Sequence, residues 1–140
     1  MRLALLALGC VLAGCTSYEY RLPETGASLE GTVTYGSETV PMAQINVGGE
    51  KGQASGQLEE GHYKVERVPI GEVKIGVNTE AMRGNFIGQQ MARSKGGGTG
   101  PAPKFVSVPA KYADPDTSGI TTMTKRGKNT FDIVIPSAGK

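Results

Sequence analysis

Few side chains in this sequence can carry covalent or metal chemistry, and their spacing narrows what they can do. Among 140 residues there is one histidine, His62, and two cysteines, Cys10 and Cys15. A Ser-His-Asp or Cys-His apparatus needs a base held between a nucleophile and an orienting group. Nothing in the sequence orders such partners around His62, which opens a β-like run and reads as a surface turn residue. Glu59 and Glu60 are adjacent carboxylates at a turn, where solvation is a plainer role than general acid–base work. Asp114-Pro115-Asp116-Thr117-Ser118 gathers oxygen ligands. Calcium takes about six to eight oxygens, more than this stretch supplies, whereas Pro115 and the Asx-turn tendency explain it as a turn. The glycine run 96–98 follows no strand and lacks the Gly-Lys-Ser/Thr of a phosphate loop. The expectation is a non-enzymatic chain with no catalytic residue, no metal site and no cofactor.

Cys15 is the exception. Arg2 precedes an apolar run, Leu3 to Leu12, that ends in Leu12-Ala13-Gly14-Cys15. The run is too short to span a bilayer stably, which takes about 20 apolar residues. Small residues at Ala13 and Gly14 admit a peptidase, and the Cys15 thiol offers an attachment point for diacylglycerol. Cys10 follows Ala7-Leu8-Gly9 and would leave too short an apolar segment to compete. The order of charge, apolar run and small residues resembles the lipobox of bacterial lipoprotein signals. That resemblance implies cleavage after Gly14, lipid on Cys15, and a mature chain in the cell envelope, outside the cytoplasm. Thr16 rather than aspartate after the cysteine implies the outer membrane over the inner one. Diacylglycerol with a further N-acyl chain supplies the two signals that stable anchoring requires. Cys10 departs with the signal and Cys15 carries lipid, so no disulfide remains although the compartment permits one.

The elements that position everything else follow from composition and period. The 126 residues from Cys15 onward suit one domain. Leu, Ile, Val and Phe make up 23 of them, which is sparse, but 14 basic against 13 acidic residues leave little net charge. A folded domain with a thin core and long connections fits this balance better than disorder does. From Ser28 the period is two. Leu29, Gly31, Val33 and Tyr35 alternate with polar residues, as do Ile45 and Val47, Tyr63 and Val65, then Val73, Ile75 and Val77, and finally Phe131, Ile133 and Ile135. Short alternating strands bounded by turn residues predict an all-β domain, an antiparallel β-sandwich of about seven strands. The expected plan is a signal at 1–14, a lipidated tether at 15–27, the β-domain at 28–136 and a tail at 137–140. Tyr18 and Tyr20 in the tether suit the headgroup level.

Residues 81–103 read as one long insertion. No helical period holds over three turns; Glu80 to Arg93 comes nearest, and glycines at 84 and 88 weaken it. Its glycine-rich end, 94–103, predicts a functional or disordered loop. From Ala81 to Ala113 stand Arg83, Arg93, Lys95, Lys104 and Lys111, with no acidic residue. That charge suits anionic headgroups or a cell-wall polymer, and equally a solvated loop. Nucleic acid is not expected: the compartment is wrong, and aromatic interleaving among these basic residues is limited, with Phe86 and Phe105.

Gly61-His62-Tyr63-Lys64-Val65 and Val68-Pro69-Ile70-Gly71-Glu72-Val73-Lys74-Ile75 resemble the Gly-x-Tyr, Pro-x-Gly and strand signature of carboxypeptidase regulatory-like domains. Residues Pro109 to Ile120 and Gly127 to Ile133 resemble the ending of small bacterial lipoproteins built from one such domain. Thr122-Met123-Thr124 and Glu60 depart from the pattern. The resemblance implies a transthyretin-like sandwich and an accessory module without peptidase activity. Enzymes on related sandwiches are excluded by composition. Hydroxyisourate hydrolases depend on several histidines and intradiol dioxygenases on two, and this chain has one. The expectation is an envelope protein, held to the membrane by lipid, that presents a binding module to another envelope protein or a cell-wall polymer. The alternatives are a purely structural component without a ligand, and an enzyme with an unrecognised site.

Overall fold

In the computed structural model, which describes residues 26–137, the period-two segments form strands, and four further strands, β2, β4, β7 and β8, join them. In chain order they are β1 (Ala27–Tyr35), β2 (Glu38–Thr39), β3 (Met42–Gly49), β4 (Gly52–Glu59), β5 (His62–Val68), β6 (Gly71–Asn78), β7 (Ile120–Thr124), β8 (Gly127–Thr130) and β9 (Ile133–Ile135). They join one sheet in the order β2-β1-β5-β4-β3-β6-β7, with β8 and β9 paired to β1. The pairing is mostly antiparallel and the sheet curls into a half-barrel. β8 and β9 depart from the expected antiparallel pattern, since both run parallel to β1. A two-residue link, 125–126, carries the chain from β7 to β8 and so brings the far end of the sheet back toward β1.

The inward residues of this curl make the core. Leu29, Val33, Ile45, Leu58, Val65, Val73, Ile75, Ile133 and Ile135 are essentially fully buried. Tyr63 faces inward as its alternation predicts, and its hydroxyl donates to the Phe131 carbonyl at 2.6 Å. Burial, and then the charge of Asp132, push that hydroxyl above its ordinary pKa, so it stays a proton donor. Glu59 pairs with His62 across a two-residue loop, with Glu60 at φ 51° and Gly61 at φ 84°. Both values are positive, the geometry of a type I′ hairpin, which glycine adopts freely and glutamate adopts under strain.

β4 lies in the middle of the sheet, yet its sequence, Gly-Gln-Ala-Ser-Gly-Gln-Leu-Glu, shows no apolar alternation. Its inward positions are Ala54, Gly56 and Leu58. A Cβ on Gly56 would stand 2.5 Å from the Lys64 carbonyl, so the small residue is needed where the strands press together.

The first part of the expected insertion, up to Lys95, is helical where its glycines argue against it, whereas its glycine-rich end, 96–103, carries no helix or strand, as expected. A short 3-10 turn, Glu80–Met82, leads into a 13-residue helix, α1 (Arg83–Lys95). The Asn78 side-chain oxygen accepts from the Ala81 N–H at 3.0 Å, within the 3-10 turn. Met82 and Phe86 then pin the helix against Met42 and Phe105. The Phe86 and Phe105 rings meet edge to face at 5.3 Å. This packing outweighs the unfavourable glycines, each worth about 1 kcal/mol in a helix. A second short helix, α2 (Pro115–Ser118), packs on β6.

Candidate functional site

Cys15 and Gly14, the lipidation and cleavage residues expected from the sequence, lie outside the described residues, as do Tyr18 and Tyr20. The other candidates can be placed one by one.

The five basic residues do not share one loop. Arg83 opens α1, where its Nε and Nη2 each donate to the Glu80 carboxylate at 2.7 Å and its guanidinium lies 4.5 Å from the Phe105 ring centre. Arg93 and Lys95 occupy the last turn of α1, where cations offset the helix dipole. Lys104 approaches Glu38 at 3.9 Å. Lys111, in the 3-10 turn Ala110–Tyr112, sits 4.6 Å above the Tyr112 ring. Three of the five are therefore engaged within the domain, and Arg93 and Lys95 project from the helix end.

Glu80 ties the start of α1 to the segment at Ser107. Hydrogen bonds from Arg83, then from Ser107, hold its carboxyl well down, from an ordinary 4.5 to about 2. A depressed acid contributes stability that is complete above pH 4.5 and is lost as pH falls through about 2. In far-UV circular dichroism, α1 is expected to lose helicity within that window, more in the wild type than in Glu80→Gln. Identical acid titrations of the two proteins would contradict the assignment.

Asp114 and Asp116 are in structural use. Asp114 caps α2 by accepting from the Asp116 N–H at 2.8 Å, and Asp116 pairs with Lys74 at 3.0 Å. Among the described residues no group of three or more His, Cys, Asp or Glu is placed to hold a metal ion.

His62 stands on the outward face of β5, opposite Thr32 of β1 and Glu59 of β4. It lines an open hollow of about 810 Å³ together with Glu30, Gln57, Thr130 and Asp132. The sequence offered no sign that Asp132 would join it, because the two are 70 positions apart and meet only through the parallel return of the chain beside β1. The Asp132 carboxylate accepts from both the N–H and the hydroxyl of Thr32, each at 2.9 Å. Those bonds, followed by the nearby His62, hold its pKa below the ordinary value. The Thr32 hydroxyl thus donates to Asp132, which ties the chain after β8 to β1. The hollow is a rim of donors and acceptors suited to hydrogen-bonding a polar partner.

The fold and this surface define a β-rich domain with a polar outer face and one projecting helix. The chain matches no protein-family model, no curated protein and no solved structure.

Proposed function

We propose that this chain is a lipid-anchored protein of the cell envelope that displays a β-sandwich module, transthyretin-like in kind, to a partner outside the cytoplasm. The observation that carries the reading is the order Arg2, apolar run, Leu12-Ala13-Gly14-Cys15. Cleavage after Gly14 frees the chain of its signal, and lipid on Cys15 holds it at the membrane, the outer one by the choice of Thr16. The domain fits the part. Gly61 and Tyr63 stand at a hairpin and in the core, where the regulatory-like signature needs them. The module is non-enzymatic: Thr32, Asp132, Asp114 and Asp116 are spent on structural bonds. Its partner is another envelope protein or a cell-wall polymer, bound without cofactor or metal, and the hollow around His62 supplies the hydrogen-bonding rim.

The test is Cys15→Ser in a diderm bacterial host supplied with labelled palmitate. The wild-type chain is expected to take up label and sediment with outer-membrane vesicles. The variant is expected to lose at least nine-tenths of both, about the difference between two-chain anchoring and none. A variant that still sediments and labels like the wild type overturns the reading.

A further inference from the structure

Several strand ends meet at one end of the curled sheet. β5 ends at Val68 opposite Ala27, where β1 begins, and β8 begins at Gly127 beside the same residue. β6 starts at Gly71, opposite Thr124, the last residue of β7. The chain enters the domain here, where the Gly26 carbonyl accepts from the Gly127 N–H at 2.6 Å.

Arg67, Lys125 and Arg126 stand exposed at this same end, and the fold fixes each of them there. Ala27 and Ser28 pair with Val68 and Glu66, which makes Arg67 the extra residue of a β-bulge. Its φ of 57° is left-handed, a conformation that glycine adopts freely and arginine adopts under strain. The bulge breaks the alternation of β5, so Arg67 is exposed beside Glu66 instead of buried. At the 125–126 link the Asn129 side chain accepts from the Lys125 N–H at 2.9 Å and donates to the carbonyls of Lys125, Gly127 and Ser28. That clamp holds the link against the start of β1. The Arg126 stem runs along the entering chain, with its Cγ 3.3 Å from where a Cβ on Gly26 would stand. Among the described residues none of these three cations enters an ion pair. The nearby acids are largely taken. Lys64 holds Glu66, Lys128 holds Glu30, and Glu50 adjoins Lys51 in the β3–β4 turn. Glu72, opposite Met123, is the acid left against the three cations.

We infer that this end of the domain docks on the headgroups of an anionic phospholipid bilayer, with Arg67, Lys125 and Arg126 against the lipid phosphates. The inference rests on the envelope reading, which puts lipid on Cys15. Cys15 lies eleven residues before Gly26, a stretch that extends at most about 40 Å. The end at which the chain enters is thus the end that the anchor draws toward the membrane. A tether of that length permits several orientations, and the cations select one of them. Each basic side chain brought to an anionic surface favours the docked state about fivefold. Lipid on Cys15 and a basic patch beside the tether then act as paired signals for the same membrane.

Lysine footprinting tests this on the protein recovered from a diderm host's membranes. It is placed on vesicles of phosphatidylcholine, alone or mixed with phosphatidylglycerol, and briefly acetylated. Complete acetylation with a heavy isotope follows, so that trypsin cuts only at arginine. Residues 94–126 then leave as one peptide that carries both Lys104 and Lys125. Lys104 is the control, since it approaches Glu38 of β2, which pairs with Tyr35 at the far end of β1. Lys125 is expected to react at least about threefold more slowly with phosphatidylglycerol present than without it, and Lys104 equally on both. Arg67→Gly is expected to raise the urea midpoint, because glycine relieves the left-handed residue, and to weaken docking about fivefold, returning Lys125 most of the way to its phosphatidylcholine rate. Arg126→Gln is expected to return it likewise. Equal Lys125 rates on the two lipids overturn the inference. So does equal protection of Lys104, protection that both variants leave intact, or protection on phosphatidylcholine that grows with protein density and so marks contact with a second copy. The same digest reads the anchor separately. A lipid-free Cys15–Arg21 peptide with Lys125 protected removes the anchor alone, and a lipidated one with Lys125 unprotected removes the docking alone.

Discussion

Gly31→Ala is expected to cost on the order of 4 kcal/mol and to leave little folded protein at 37 °C. The reason is a single close approach. A Cβ on Gly31 would lie 2.1 Å from the Phe131 carbonyl oxygen and 2.7 Å from its carbon. Both are backbone atoms and cannot swing aside. Moving residues 131–132 away breaks two ties at once: the Tyr63 hydroxyl loses the Phe131 carbonyl, and Asp132 loses the N–H and hydroxyl of Thr32. A buried phenol without an acceptor adds its desolvation cost to the steric one. Gly88→Ala is the internal control. Its Cβ meets nothing within 4 Å, and alanine there is expected to raise α1 helicity. Urea denaturation followed by circular dichroism measures both. A Gly31→Ala midpoint equal to the wild type would mean that the chain after β8 does not return against β1.

Leu58→Ala is expected to cost about 3 kcal/mol, within the 2–5 kcal/mol range for emptying a buried leucine site. Leu58 is fully buried, and it is the one large apolar side chain of β4. It pairs across the sheet with Ala43 on one side and Tyr63 on the other. The alanine opposite cannot fill the space, so the site collapses poorly. For a domain of ordinary stability, about 5–15 kcal/mol, this is a large share. The same denaturation experiment decides it, and a loss below about 1 kcal/mol would place Leu58 at the surface.

The comparison of sequence with fold is instructive at particular residues. β1, β5 and β6 follow directly from alternation, because Leu29, Val33, Tyr63, Val65, Val73, Ile75 and Val77 are all core residues. The Glu60-Gly61 hairpin was legible from its glycine. β4 was not, since Ala54 and Gly56 are inward positions too small to register as apolar and the strand is recognised only through its neighbours. α1 was hidden by Gly84 and Gly88. The readable signal was Asn78 before the 3-10 turn that leads into it, followed by Phe86 as an anchor, and the decisive Met42 and Phe105 contacts are non-local. The parallel pairing of β8 and β9 with β1 has no local signature at all. The proposed lipidation at Cys15 rests wholly on the sequence, on the resemblance of Leu12-Ala13-Gly14-Cys15 to a lipobox. The gathering of Glu30, Thr32, His62 and Asp132 in one hollow required the sheet to bring together segments 30 to 100 residues apart.

The lipid we propose on Cys15 is most directly tested by mass spectrometry of the protein recovered from a diderm host's membranes. Trypsin is expected to release Cys15–Arg21 carrying the mass of diacylglycerol, with a further acyl chain where processing is complete, and no peptide from residues 1–14. An unmodified Cys15–Arg21 peptide, or one continuous with Leu3 to Gly14, would contradict it.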